Sequence, residues 1–428
     1  MSGRSAIHSP RVVTPAGVCE AIVVIEAGLI VEMLPGDAEV AGIDVTRVEH
    51  ALLPGLVDSH VHVNDPGRTE WEGWASASRA AARGGVTTVV DMPLNSSPVT
   101  TTVAALEAKR LVARRDSIID AQFWGGLVPD STPEQLDGLA AAGVRGFKCF
   151  LSPSGIDEFP SVTRADLERL MPHLARLDLP LLTHAELVPD PPHPWVGSDT
   201  SHAAWAATRP ASMEHAAVAL LIELAERFGC RVHVVHVSSA ATVASIDRSE
   251  LVTWETCPHY LVLCGDDVAD GDTSAKCAPP LRTRGEVDAL WEVVLRDAPA
   301  IVSDHSPAPP DTKAIDTGSL RTAWGGISSL GLQLPLLATA LHERGVIGDA
   351  LLERLAAQLS AAPARIAGLT DRGAIAPGLR ADLIAVDLDA TWTIHGADTG
   401  WRWPRTPYEG VRVHGRVERM WLAGAPLV

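Results

Sequence analysis

The chain has 428 residues, 46% hydrophobic and 21% charged, a globular balance that excludes a disordered or collagen-like polymer and leaves room for a full core. Lys and Arg number 35 against 53 Asp and Glu, a formal net charge of −18, so phosphate backbones and anionic lipid are repelled and neither nucleic acid nor a membrane is an expected partner. No run approaches the roughly 20 apolar residues of a bilayer span, Met1-Ser2-Gly3-Arg4-Ser5 lacks the apolar run of a secretory leader, and the six cysteines form no CxxC pair, which predicts a cytoplasmic protein with free, mostly buried thiols.

Taken in chain order, residues 1–53 carry apolar runs at 21–25 and 28–30 separated by turn residues and are expected to be short strands. From Leu56 to about residue 368, strand-like and helix-like segments alternate. Eight strands are predicted, at 55–60, 86–91, 120–124, 144–150, 180–184, 231–236, 251–257 and 300–304, each short and rich in Val, Ile, Leu or Thr, as parallel strands buried on both faces are. Thr69, ahead of Glu70-Trp71-Glu72, is expected to cap the helix after the first strand, with Gly84-Gly85 at its far end. Thr132-Pro133-Glu134-Gln135 has the pattern of a capping box with Pro at the first helical position, and Gly143 closes that helix. Segments 186–210 and 305–325 are expected to be long Pro- and Ser-rich loops, and 381–386 returns to strand. Eight βα repeats without a glycine-rich phosphate turn after the first strand predict an α/β protein: a (β/α)8 TIM-type barrel over 54–369, and a small β-sandwich-like domain built from both chain ends, 1–53 and 370–428.

The chemistry-bearing candidates are His60, His62, Lys148, His184, His236 and Asp304, which end predicted strands one, four, five, six and eight, so a barrel brings them to one mouth. Singly, each has an ordinary alternative. An H-x-H triplet arises easily among 16 histidines, His184 and His236 could be hydrogen-bonded core residues, and Asp304 could cap a loop. Lys148 lies in Gly146-Phe147-Lys148-Cys149-Phe150, where the choice is between an ammonium snorkelling from a strand end and one with a task. His60 and His62, two apart in a strand, point to the same face and suit one metal ion. Four histidines and an aspartate suffice for two zinc-like ions, which also need an anionic bridge.

The run Pro54-Gly55-Leu56-Val57-Asp58-Ser59-His60-Val61-His62, Lys148, the strand-end histidines and Ser303-Asp304-His305-Ser306-Pro307 resemble the cyclic amidohydrolases. Asp65-Pro66-Gly67-Arg68, Lys276-Cys277-Ala278-Pro279-Pro280 and Ala323-Trp324-Gly325-Gly326-Ile327 are most similar to the allantoinase branch of that family. The resemblance implies hydrolytic opening of the allantoin ring to allantoate, in purine degradation, by a hydroxide bridging two divalent ions, with zinc first and cobalt or manganese as alternatives. It implies that His60 and His62 hold one ion, His184 and His236 the other, carboxylated Lys148 bridges them, and Asp304 both binds metal and carries protons. It further implies a homo-oligomer, a tetramer in the family, and Asn95 and Ser306 as substrate contacts.

Asn64 stands where dihydroorotases carry an arginine that grips the substrate carboxylate, which turns the expectation toward a neutral ring. A hydantoinase or dihydropyrimidinase is the alternative enzyme; the Trp324-Gly325-Gly326 run and Pro307-Ala308-Pro309-Pro310 weigh against it. A scaffold that has lost its ligands is the alternative of another kind, and the presence of all six ligand positions weighs against that. Ala185 and Asp65 depart from the family pattern without touching a ligand position.

Overall fold

The computed structural model describes residues 3–427. Five strands come first: β1 (Ser5–Thr14), β2 (Gly17–Glu26), β3 (Leu29–Pro35), β4 (Asp44–Arg47) and β5 (Ala51–Pro54). Nine short strands follow: β6 (Leu56–Val61), β7 (Val86–Asp91), β8 (Asp120–Phe123), β9 (Gly125–Gly126), β10 (Phe147–Phe150), β11 (Leu181–His184), β12 (Val232–Val234), β13 (Val252–Thr256) and β14 (Ala300–Ile301). The last three are β15 (Leu383–Thr393), β16 (Arg412–Leu422) and β17 (Ala425–Pro426).

All eight predicted central strands are present, one of them split into β8 and β9 at Trp124, whose amide bonds the Asp91 carbonyl. They form two parallel sets, β6-β7-β8 and β14-β13-β12-β11-β10-β9, with helices between successive members. β8 runs on into β9, and beyond β14 residue His305 pairs in parallel with Val61 of β6, where the His62 amide bonds the His305 carbonyl at 2.8 Å. Every residue of β6, β7, β10 and β11 is buried, as expected of strands covered on both faces.

The two chain ends meet in one hydrogen-bonded sheet ordered β17-β16-β15-β5-β1-β2-β3, forked at β1, where β4 takes the first half of the strand and β5 the second. Antiparallel pairing of β15 with β5 ties the C-terminal part to the N-terminal part, and Ile7, Val23, Leu52, Leu383 and Trp421 share its core.

Local signals succeed where one polar group has one obvious amide to serve. The Thr132 capping box forms in full, at the start of the helix Pro133–Ala141. Thr69 does not cap: its hydroxyl donates to Asp65 at 2.7 Å, and the helix begins later, at Trp74, whose amide reaches the other Asp65 oxygen. The Gly84 terminus of that helix stands as expected. Segment 186–210 is not all loop, since Ser201 caps a helix over His202–Thr208; 305–325 has no helix or strand. Among the described residues no helix is long and apolar enough to cross a membrane, and all six cysteines are free, with only Cys19 exposed.

Candidate metal centre

His60, near the end of β6, and His62, just beyond it, turn their Nε2 atoms to the same oxygen of Asp304, at 3.1 and 3.6 Å. Each ring is held from behind. His60 Nδ1 lies 2.6 Å from Glu255 Oε1, and His62 Nδ1 lies 3.2 Å from the Leu94 carbonyl. A carbonyl and an ionised carboxylate only accept, so each Nδ1 carries a proton, and each Nε2 is the ring atom left to face Asp304 and to ligate an ion when one is bound. Burial opposes the Glu255 charge, but hydrogen bonds from His233 and His60 outweigh it and bring its carboxyl to about 2. Asp304 sits past β14 in a left-handed conformation, φ +45°. Burial disfavours its charge, yet His60, His62 and His236 hold the carboxyl well below the usual range.

The second pair comes from neighbouring parallel strands. His184 ends β11 and His236 follows β12 at φ +44°. Nδ1 of His184 is 3.0 Å from Nε2 of His236, while His184 Nε2 lies 2.7 Å from Glu186 Oε2. Glu186 in turn pairs with Arg209. Burial lowers the pKa of His60, His184 and His236, keeping these imidazoles neutral and able to ligate. The His60 and His236 rings are 5.5 Å apart, so the two pairs adjoin.

Lys148, on β10, is fully buried, and its Nζ has no hydrogen-bond partner among the described residues. It lies 4.8 Å over the Phe150 ring, which stacks on His184. Burial is the main cause of its pKa falling to about 8. The snorkelling alternative is therefore excluded: the ammonium points inward.

All six candidate ligands line one cleft, together with Asn95, Ser306, Arg209 and Trp324. The donor set fits divalent ions. His60, His62 and Asp304 offer ligand atoms within 4.8 Å of one another, two further ring nitrogens meet at 3.0 Å, and the buried Lys148 nitrogen in the same cleft has no hydrogen-bond partner among the described residues. Asn95 Nδ2 donates to Asn64 Oδ1 at 3.0 Å, leaving its own oxygen unpartnered, and the Ser306 hydroxyl is 3.4 Å from Trp324 Nε1. Asn64 thus serves Asn95 from behind.

Sequence reasoning missed Glu255, Glu186, Arg209 and His259. Glu255 had a signal, a carboxylate inside the apolar strand β13. His259 is buried with both ring nitrogens unpartnered among the described residues, and with Cys257 and Asp304 it forms a second cluster of ligand-type atoms; the run Cys257-Pro258-His259-Tyr260 resembles the family, but it gave His259 no role.

Residues 51–427 match the amidohydrolase family. An allantoinase from Streptomyces avermitilis is 44% identical, over 98% of this chain and 94% of that protein. An allantoinase from Arabidopsis thaliana is 37% identical, over 98% and 87%. Among solved structures, the L-hydantoinase (dihydropyrimidinase) of Arthrobacter aurescens superposes with a TM-score of 0.94 at 26% identity, over 100% of this chain and 96% of that one.

Proposed function

Because the chain belongs to the amidohydrolase family, we propose from that premise that this metal-dependent cyclic amidohydrolase opens the hydantoin ring of allantoin to give allantoate, in purine degradation. The observation that carries the reading is the convergence of four histidines, Asp304 and the partnerless Lys148 on one cleft. The choice of allantoin is supported by the activity named for the full-length relatives and by Asn64, a neutral group engaged with Asn95 where a carboxylate grip would need a free cation. Arg209 on the cleft wall does not supply one, since Glu186 neutralises it. Incubating the purified, metal-loaded protein with allantoin and following allantoate tests this; absence of turnover overturns it.

In this reading His60 and His62 would hold one divalent ion and His184 and His236 a second, with Lys148, as its carbamate, as the shared anionic ligand; zinc is the first choice, cobalt or manganese the alternatives. When bound there, the ions lower the pKa of water and polarise the ring carbonyl. Glu255 and Glu186 fix the tautomers of His60 and His184. Asp304, whose carboxyl is held well below the usual range, accepts the proton of the attacking water and hands it to the departing ring nitrogen. Asn95 and Ser306 offer an unpartnered amide oxygen and a hydroxyl to the ring amides.

The architecture we infer is a closed (β/α)8 barrel over 54–369, sealed by the pairing of Val61 with His305, beside a β-sandwich-like domain of 1–53 and 370–428 formed as the sheet opens at its β1 fork. Free buried thiols suit a reducing cytoplasm. The assembly we expect from the family resemblance is a homotetramer.

A further inference from the structure

Two lysines outside the metal centre are buried and have no carboxylate partner among the described residues. Lys313, 7% exposed, directs Nζ to the carbonyls of Trp324 at 3.1 Å and Gly326 at 2.6 Å. Lys276, 5% exposed, directs Nζ to the Ala323 carbonyl at 2.5 Å and stands 4.4 Å from the centre of the Trp205 ring. An ammonium removed from water without a counter-charge is costly, and an apolar side chain would fill the same space without that cost. Burial is the main cause of Lys313 falling to about 7 and Lys276 to about 8. Both are spent on one short strap, 323–326.

That strap is a wall of the cleft. Trp324 and Gly325 line it beside the four histidines. Its amides are also tied down, Trp324 to the Thr312 carbonyl at 2.8 Å and Gly326 to the Lys276 carbonyl at 2.9 Å. Gly326 passes so close to the Ser306 carbonyl that a Cβ there would come within 2.2 Å of its oxygen. Trp324 meets Trp71 edge-on at 4.8 Å. Lys313 spans the carbonyls of Trp324 and Gly326 while Lys276 holds that of Ala323, so two side chains from outside the strap fix three of its four carbonyls.

We propose that Lys313 and Lys276 are positioning residues, whose hold on the carbonyls of residues 323, 324 and 326 fixes the wall against which the ring amide seats, and so sets substrate affinity rather than the chemical step. This rests on the ring-amide reading above.

The test is steady-state kinetics on the metal-loaded full chain carrying Lys313→Met or Lys276→Met, with metal content measured alongside. The expected result is a KM for allantoin raised about 10-fold or more, kcat within about threefold, and metal content equal to the parent's. In Lys313→Ala, added methylammonium should lower KM again, an effect that loss of general stability would not produce. Unchanged KM in the soluble variants, or a loss confined to kcat or to metal, overturns the proposal. Should one variant fail to fold, the other decides. The parent's own turnover of allantoin tests the functional reading separately; if the parent opens a different ring amide, the variant-to-parent KM ratio is measured on that substrate and still decides the clamp.

Discussion

Glu255 Oε1 lies 2.6 Å from Nδ1 of His60, and the other oxygen of the same buried carboxylate lies 3.1 Å from Nε2 of His233. One side chain on β13 therefore orients the His60 ring on β6 across the interior of the strand array. Glu255→Gln should weaken metal binding by about 10- to 100-fold, because the His60 tautomer is no longer dictated by an ionised acceptor. Competition with a chelator measures this, and parent-like affinity would show that Glu255 does not orient His60.

Asp304→Asn keeps the shape and one oxygen but removes the proton acceptor. A fall in kcat of about 10²-fold or more is expected, with metal largely retained. Paired kinetics and elemental analysis check it; near-normal turnover at unchanged metal content would remove Asp304 from the proton path.

Lys148→Met removes an ammonium that is fully buried and has no partner among the described residues. The metal-free variant should be at least as heat-stable as the metal-free parent, since a desolvated charge is gone, while metal content and activity fall together because the bridge is missing. Thermal unfolding with elemental analysis separates the two effects. Native mass spectrometry of the parent should find the added mass of one carbon dioxide.

The ligand candidates were legible because each stands in or just past a short apolar strand, and the strand ends of a βα array share one side. His60, His62, Lys148, His184, His236 and Asp304 needed no long-range knowledge. Groups that act from behind did not carry that mark. Glu186 belongs to the centre only through the pairing of β11 with β12, which sets His184 beside His236, and Arg209 reaches it from the far end of the helix His202–Thr208. Thr69 had the composition of a cap, but Asp65, four residues earlier, competes for the same hydroxyl and wins. The strap 323–326 was marked by its Trp324-Gly325-Gly326 run, but the two lysines that hold it lie 47 and 11 residues away from the carbonyls of Ala323 and Trp324 and carry no local sign of that task.

Lys109 and Asp91 form a buried ion pair at 2.6 Å, and Lys109 also donates to the Met92 carbonyl, directly before the loop that carries Asn95. Burial raises the Asp91 pKa even so, with Lys109 opposing. Lys109→Met leaves that carboxylate unpaired and should cost about 3–5 kcal/mol of stability. Chemical denaturation at fixed metal loading measures it, and a loss below about 1 kcal/mol would mean that the pair is replaceable by packing.

The most direct test of the whole account is kcat/KM of the metal-loaded protein for allantoin, hydantoin, dihydrouracil and dihydroorotate, assayed in parallel. The account predicts allantoin as the best substrate and dihydroorotate as the poorest, because Asn64 is neutral and the Arg209 of the cleft is already paired with Glu186. Hydantoin or dihydrouracil as the better substrate would contradict the allantoin assignment and make the protein a hydantoinase.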